Sequence, residues 1–186
     1  MAEMDRNEAL ALLRGQLTNQ NLFKHSLAVE AILGALARRF GEDEGLWRLA
    51  GLLHDIDYEF TKDDPAAHSL KGSQMLAEAG LDPRIVYAVK VHNDIHGDPR
   101  LSLMDRSLFC TDPVTGLITA AALIRPEKKL ALVTPAFILN RFGEKGFARG
   151  ANRETIRACS EIGMDLEDFV AIGLSAMQGI SEELGL

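Results

Sequence analysis

GLLHDIDYEF, residues 51–60, ends an apolar, helix-compatible run with His54 and Asp55 side by side and adds Asp57 two positions on. An imidazole and a carboxylate buried at the end of such a run cost free energy unless something pairs with them. The partners must come from other segments, and those segments decide the fold.

Working outward, Asp43 to about His54 reads as a helix with Leu46, Leu49, Ala50 and Leu53 on one face. Before it, a segment from Thr18–Asn21 to Gly41 repeats Leu22, Val29, Ile32, Leu36 and Phe40 at three- and four-residue intervals, with His25 on the same stripe. The first helix opens on Asp5 with Glu8 three residues later, a capping-box pattern. Downstream, Asp64-Pro65 and Asp82-Pro83 each read as an N-cap followed by a first-turn proline. They predict one helix from Pro65 to Gly80, with His68 in its first turn, and another ending near His92. Leu103 to Ile124 is helical in pattern, and Pro113 within it predicts a kink or break just after Asp112. Further helices are expected from Thr134-Pro135 to Gly143, from Asn152 to Gly163, and from Asp165 towards Leu184. No period-two strand pattern stands out, so the class is all-α.

Composition excludes several functions. The 186 residues, 47% hydrophobic and 25% charged, suit a single domain with one sizeable core. A formal charge of −7 argues against an extended nucleic-acid surface and a polybasic membrane anchor. The most apolar short stretch, Leu117–Ile124, falls far below the roughly 20 residues that cross a bilayer. Cys110 and Cys159 are not spaced as a metal or redox pair, and MAEMDRNEAL lacks the pattern of a signal peptide. A reduced, cytoplasmic protein is expected.

His25, His54, His68 and His92 each stand where a helix face meets the core. Any one alone reads at least as well as a satisfied core histidine; together they point to a shared ligand. Neutral imidazole with carboxylate oxygen is the donor set for first-row divalent ions, and a metal offsets the desolvation of the groups that hold it. A helix that ends at His54-Asp55 lets both side chains converge on one ion, with His25 and Asp112 completing two imidazoles and two carboxylates.

The order His25, His54-Asp55, His68, His92, Asp112 resembles the HD-domain metal-dependent phosphohydrolases, and H-S-L-K-G from His68 to Gly72 resembles the H-x-x-x-G of the HDIG-type subgroup. The resemblance covers about residues 20–125 and leaves 126–186 as a helical extension. It implies an HD-domain-like helical bundle in which His25, His54, Asp55 and Asp112 hold a first ion, and His68 and His92 hold a second bridged by Asp55. The cofactor is then one or two divalent ions, Mn, Fe, Mg, Co, Ni or Zn, with Asp55 and His54 the candidate catalytic pair. Two departures stand out: Asp57 occupies the glycine position of HDIG, and Asn93 follows His92 where some two-metal members carry paired histidines.

Asp57, Lys24, Lys71 and His96 are candidate substrate or supporting groups. For Asp57 a cap or turn, and for His96 a solvated loop position, are equally good readings. Arg84, Arg125, Lys128 and Lys129 also stand near the motif residues, and Lys145, Arg149 and Arg153 lie in a glycine-rich stretch read as a connection between helices. The implied function is hydrolysis of a nucleotide or other small phosphorylated compound. A di-iron oxygenase on the same scaffold and a non-catalytic metal- or nucleotide-binding module remain alternatives. The apolar helix from Asp165 to Leu184 is a candidate homodimer surface.

Overall fold

The structure is a computed structural model that describes residues 4–144 and 146–186. Its α-helices are α1 (Arg6–Gln16), α2 (Gln20–Phe40), α3 (Glu44–Leu53), α4 (Tyr58–Thr61), α5 (Leu70–Glu78), α6 (Pro83–Val91), α7 (Leu103–Leu123), α8 (Pro135–Phe142), α9 (Arg153–Arg157), α10 (Leu166–Gln178) and α11 (Ser181–Leu184). Short 3-10 turns follow α6, α7 and α9, and no strand occurs among the described residues. None of these helices is long and apolar enough to cross a membrane.

Local signals fixed most boundaries. The Asp5–Glu8 capping box is present, Asn19 and Asp43 cap α2 and α3, and Asp82 with Pro83 opens α6. The two 21-residue helices α2 and α7 form the spine of the bundle. Val29, Ile32, Leu33 and Leu36 of α2 share one core with Leu108, Val114, Leu117 and Ile118 of α7 and with Phe169, Val170, Leu174 and Met177 of α10. The extension therefore packs into the same core as the motif helices. Helices α2 and α3 pack closely at Gly51, where a Cβ would lie 2.9 Å from the Glu30 backbone. The buried Glu30 carboxylate accepts hydrogen bonds from Arg6 and Arg48, tying α1 and α3 to α2.

Four expectations change. Helix α7 runs unbroken through Pro113, because Phe109, Cys110, Thr111, Val114 and Thr115 around it are buried and tertiary packing outweighs one lost amide bond. Residues 65–69 form turns and α5 begins only at Leu70, since Ser69 adopts φ +68° and cannot continue a helix. Asn152 to Gly163 divides into α9 and a 3-10 turn. The helix expected from Asp165 to Leu184 divides into α10, which ends at Gln178, and α11, and Phe169, Val170, Leu174 and Met177 of α10 are buried in the core. Arg153 organises the glycine-rich connection by donating to the carbonyls of Phe142, Phe147, Ala148 and Ala151. Lys145 lies outside the described residues.

Candidate metal centre

The end of α3 delivers His54 and Asp55, α2 delivers His25, α7 delivers Asp112, the turn before α5 delivers His68, and the end of α6 delivers His92. Each imidazole is anchored through Nδ1. His54 Nδ1 donates to the Gly51 carbonyl at 2.9 Å and His92 Nδ1 to the Val89 carbonyl at 2.6 Å. His68 Nδ1 donates to Asp57 Oδ1 at 2.9 Å. The Thr115 hydroxyl spends its one proton on the Asp112 carbonyl at 2.8 Å, so at 2.9 Å it accepts from His25 Nδ1. In all four rings the nitrogen left to face inward is Nε2, the atom a metal ligand presents once it carries no proton.

Those nitrogens surround Asp55. Its Oδ2 lies 3.6 Å from His25 Nε2 and 3.5 Å from His54 Nε2; its Oδ1 lies 3.4 Å from both His68 Nε2 and His92 Nε2. Asp112 Oδ1 joins the first pair, 3.1 Å from His25 and 3.9 Å from His54. Ligand atoms about 2.1 Å from a common ion stand about 3.0–3.4 Å apart in octahedral or tetrahedral geometry, close to these separations.

The electrostatics also call for a cation. The Nε2 atoms of His25 and His54 face each other at 3.2 Å, and the buried His92 Nε2 has no hydrogen-bond partner. Burial pushes His54 down to about 4, so the ring is neutral. Burial also lowers His25 and His92, but the Asp112 and Asp55 carboxylates outweigh it and hold both above the ordinary histidine value. Burial pushes Asp55 up, yet the surrounding imidazoles hold it far below the usual carboxylate range. Two carboxylates here demand positive charge, from protons or from a metal, and the donor set fits a divalent ion.

The supporting residues divide. Asp57 is fully buried; its Oδ1 takes His68 and its Oδ2 accepts from the Ser69 and Gly72 amides, both at 2.9 Å. It therefore orients His68 and caps α5, and at Gly72 a Cβ would press on the Asp57 carboxyl at 3.1 Å. Asn93 donates to the carbonyls of Pro65 and His68, Ser69 Oγ to Lys90, and His96 Nε2 to His68, bracing the turn that presents His68. His96 belongs to none of the ligand groupings. Lys24 lines a cavity beside His25, whereas Lys71 is exposed and Arg84 pairs with Asp82.

Sequence reasoning missed Thr115, which stands three residues after Asp112 and so shares its helical face, and Tyr58, whose ring meets His68 edge-on at 5.1 Å. Burial, then the charges of Asp55 and Asp112, raise the Tyr58 phenol above its ordinary value, which marks it as a neighbour of the centre.

Comparison with known proteins agrees with this geometry. The family model described as HD domain matches residues 22–130, more than half of the chain. The chain belongs to the HD-domain family. Members of the HD-domain family bind divalent metals, and the ligand candidates His25 to Asp112 all fall within the matched span. Among curated relatives, Ribonuclease Y of Clostridium perfringens (strain SM101 / Type A) is 29% identical over 142 residues, covering 73% of this chain and 27% of the relative. Ribonuclease Y of Bacillus thuringiensis (strain Al Hakam) is 30% identical over 142 residues, covering 73% and 26%. That of Desulfotalea psychrophila is 33% identical over 98 residues, covering 52% and 18%. The chain thus spans about a quarter or less of the length of these relatives.

Proposed function

We propose that this HD domain is a metal-dependent phosphohydrolase that cleaves a phosphate ester in a nucleotide or another small phosphorylated compound. The observation that carries the reading is the placement of Asp55, with one carboxylate oxygen facing His25 and His54 and the other facing His68 and His92. His25, His54, Asp112 and Asp55 would hold one divalent ion, and His68, His92 and Asp55 a second. Such ions make hydroxide available near neutral pH and neutralise charge on a phosphoryl oxygen.

The chain's own groups do the rest. The buried, ionised Asp55 orients the attacking water, and His54, held through the Gly51 carbonyl, stands beside it as a ligand of the same ion. Asp112, whose side chain is 37% exposed, would complete the first ligand set at the solvent-facing edge of the centre. Tyr58 packs edge-on against the His68 ring and helps to hold it. The relatives are named for action on RNA, which supports attack on a phosphorus ester over oxygen chemistry. The acidic charge of −7 favours a small substrate over a long polyanion. The two buried thiols, Cys110 and Cys159, suit a cytoplasmic setting.

The test is metal analysis of the purified protein beside a screen of phosphomonoesters and phosphodiesters, run with Asp55→Ala. The wild type should carry divalent metal and release phosphate or a phosphomonoester; the variant should lose both. Full turnover by Asp55→Ala would remove the mechanism, and strict dependence on oxygen would favour the oxygenase alternative.

A further inference from the structure

A cavity of about 420 Å³ lies between α2, α7 and α11, and His25 forms part of its wall. It therefore adjoins the first ion position. Asn21, Lys24 and Thr119 supply its polar lining, and Leu123 and Leu184 its apolar lining. No aromatic side chain lines it among the described residues, so a base-stacking platform is absent and recognition must rest on charge, hydrogen bonds and aliphatic contact.

Lys24 is the one lysine or arginine in this wall among the described residues. It is half-buried, no ion pair or hydrogen bond engages its side chain among the described residues, and its Nζ nestles against Gly185, where a Cβ would come within 3.0 Å. An ammonium with no protein partner at the edge of a cavity is placed to meet an anionic group that enters it. Lys24 and His25 are consecutive on α2, so their side chains diverge around the helix. His25 turns to Asp55 and Asp112, while Lys24 turns to Gly185. The anion that Lys24 meets is thus distinct from the phosphoryl group at the metal ligands.

We propose that this cavity seats the leaving group of the substrate, and that Lys24 selects leaving groups bearing a second anionic group, either phosphate or carboxylate. The substrate class is then a small organic phosphate with two separated negative groups. The assignment of the cavity to the leaving group rests on the phosphohydrolase reading above.

The experiment is isothermal titration calorimetry on manganese-loaded full-length protein with AMP, ADP and adenosine 3′,5′-bisphosphate, beside measured metal content. Wild type should bind ADP or the bisphosphate about tenfold tighter than AMP, the ratio one charge-assisted contact provides. Lys24→Met should abolish that preference at unchanged metal content, and Lys24→Arg should retain it. Gly185→Ala, whose methyl crowds Nζ, should weaken it. An undiminished preference in Lys24→Met, or none in wild type, overturns the proposal. Hydrolysis of p-nitrophenyl phosphate and bis(p-nitrophenyl) phosphate by wild type separates the two readings. No turnover with Lys24-dependent binding defeats the phosphohydrolase and keeps Lys24 as an anion site; turnover with Lys24-independent binding defeats only the selection by Lys24.

Discussion

Replacing Asp57 by asparagine alters one atom of a fully buried side chain and should remove one ion position while sparing the other. The carboxylate serves three donors: His68 Nδ1 at Oδ1, and the Ser69 and Gly72 amides at Oδ2, each at 2.9 Å. Asparagine keeps a single acceptor. Turning its NH2 towards the two amides would strand two buried donors at about 1–3 kcal/mol each. The oxygen therefore stays with the amides and the NH2 faces His68 Nδ1. The ring must then accept at Nδ1 and carry its proton on Nε2, the atom 3.4 Å from Asp55 Oδ1. In that tautomer His68 has no lone pair for a metal. Loss of such an orienting partner typically lowers metal affinity about 10–100-fold. Replacing three charge-assisted bonds by neutral ones should also cost about 1–3 kcal/mol, which at this chain length lowers the melting temperature by about 2–4 °C per kcal/mol. The assay is a manganese titration by calorimetry together with a thermal melt. One site class should weaken and the other keep its wild-type affinity. Two sites with wild-type affinities would refute the tautomer argument.

Three further outcomes follow from the geometry. Gly51→Ala forces a methyl to 2.9 Å from the Glu30 backbone, and this overpacking, about 1–3 kcal/mol, outweighs a helix-propensity gain of up to about 1 kcal/mol. A net loss of about 1–2 kcal/mol should appear in chemical denaturation, and a gain in stability would contradict the close approach of α2 and α3. Thr115→Val keeps the shape but removes the acceptor for His25 Nδ1, so competition with a chelating dye should report about 10–100-fold weaker binding at the first ion position, and unchanged affinity would deny Thr115 its orienting role. Arg153→Met loses four carbonyl contacts from the connection between α8 and α9 and should destabilise by about 2–4 kcal/mol; a loss under about 0.5 kcal/mol would show that the connection holds itself.

What could be read from the sequence was local chemistry. Asp5 with Glu8, and Asp82 with Pro83, marked helix starts because a cap acts within one turn. The ordered histidines and aspartates marked the candidate centre because few other roles explain several imidazoles at the inner ends of apolar faces. What failed was non-local. Asp64-Pro65 looked like a helix start, yet the backbone of 65–72 is claimed by Asp57, Asn93 and His96 from distant segments, and Ser69 turns left-handed to meet them. Pro113 looked like a break, but buried neighbours on both sides hold α7 together. The apolar residues after Asp165 suited a dimer face as well as a core, and only packing against α2 and α7 distinguishes the two. Thr115 was legible in principle, because a hydroxyl three residues after Asp112 falls on the same helical face. The role of Asp57 was not, because it depends on where the turn before α5 folds back.

The most direct test of the centre is a crystal structure of manganese-soaked protein with an anomalous difference map. Two peaks should flank the Asp55 carboxylate, one about 2.0–2.3 Å from Nε2 of His25 and His54, the other at the same distance from Nε2 of His68 and His92. A well-ordered map with no anomalous peak in reach of Asp55 would contradict the account.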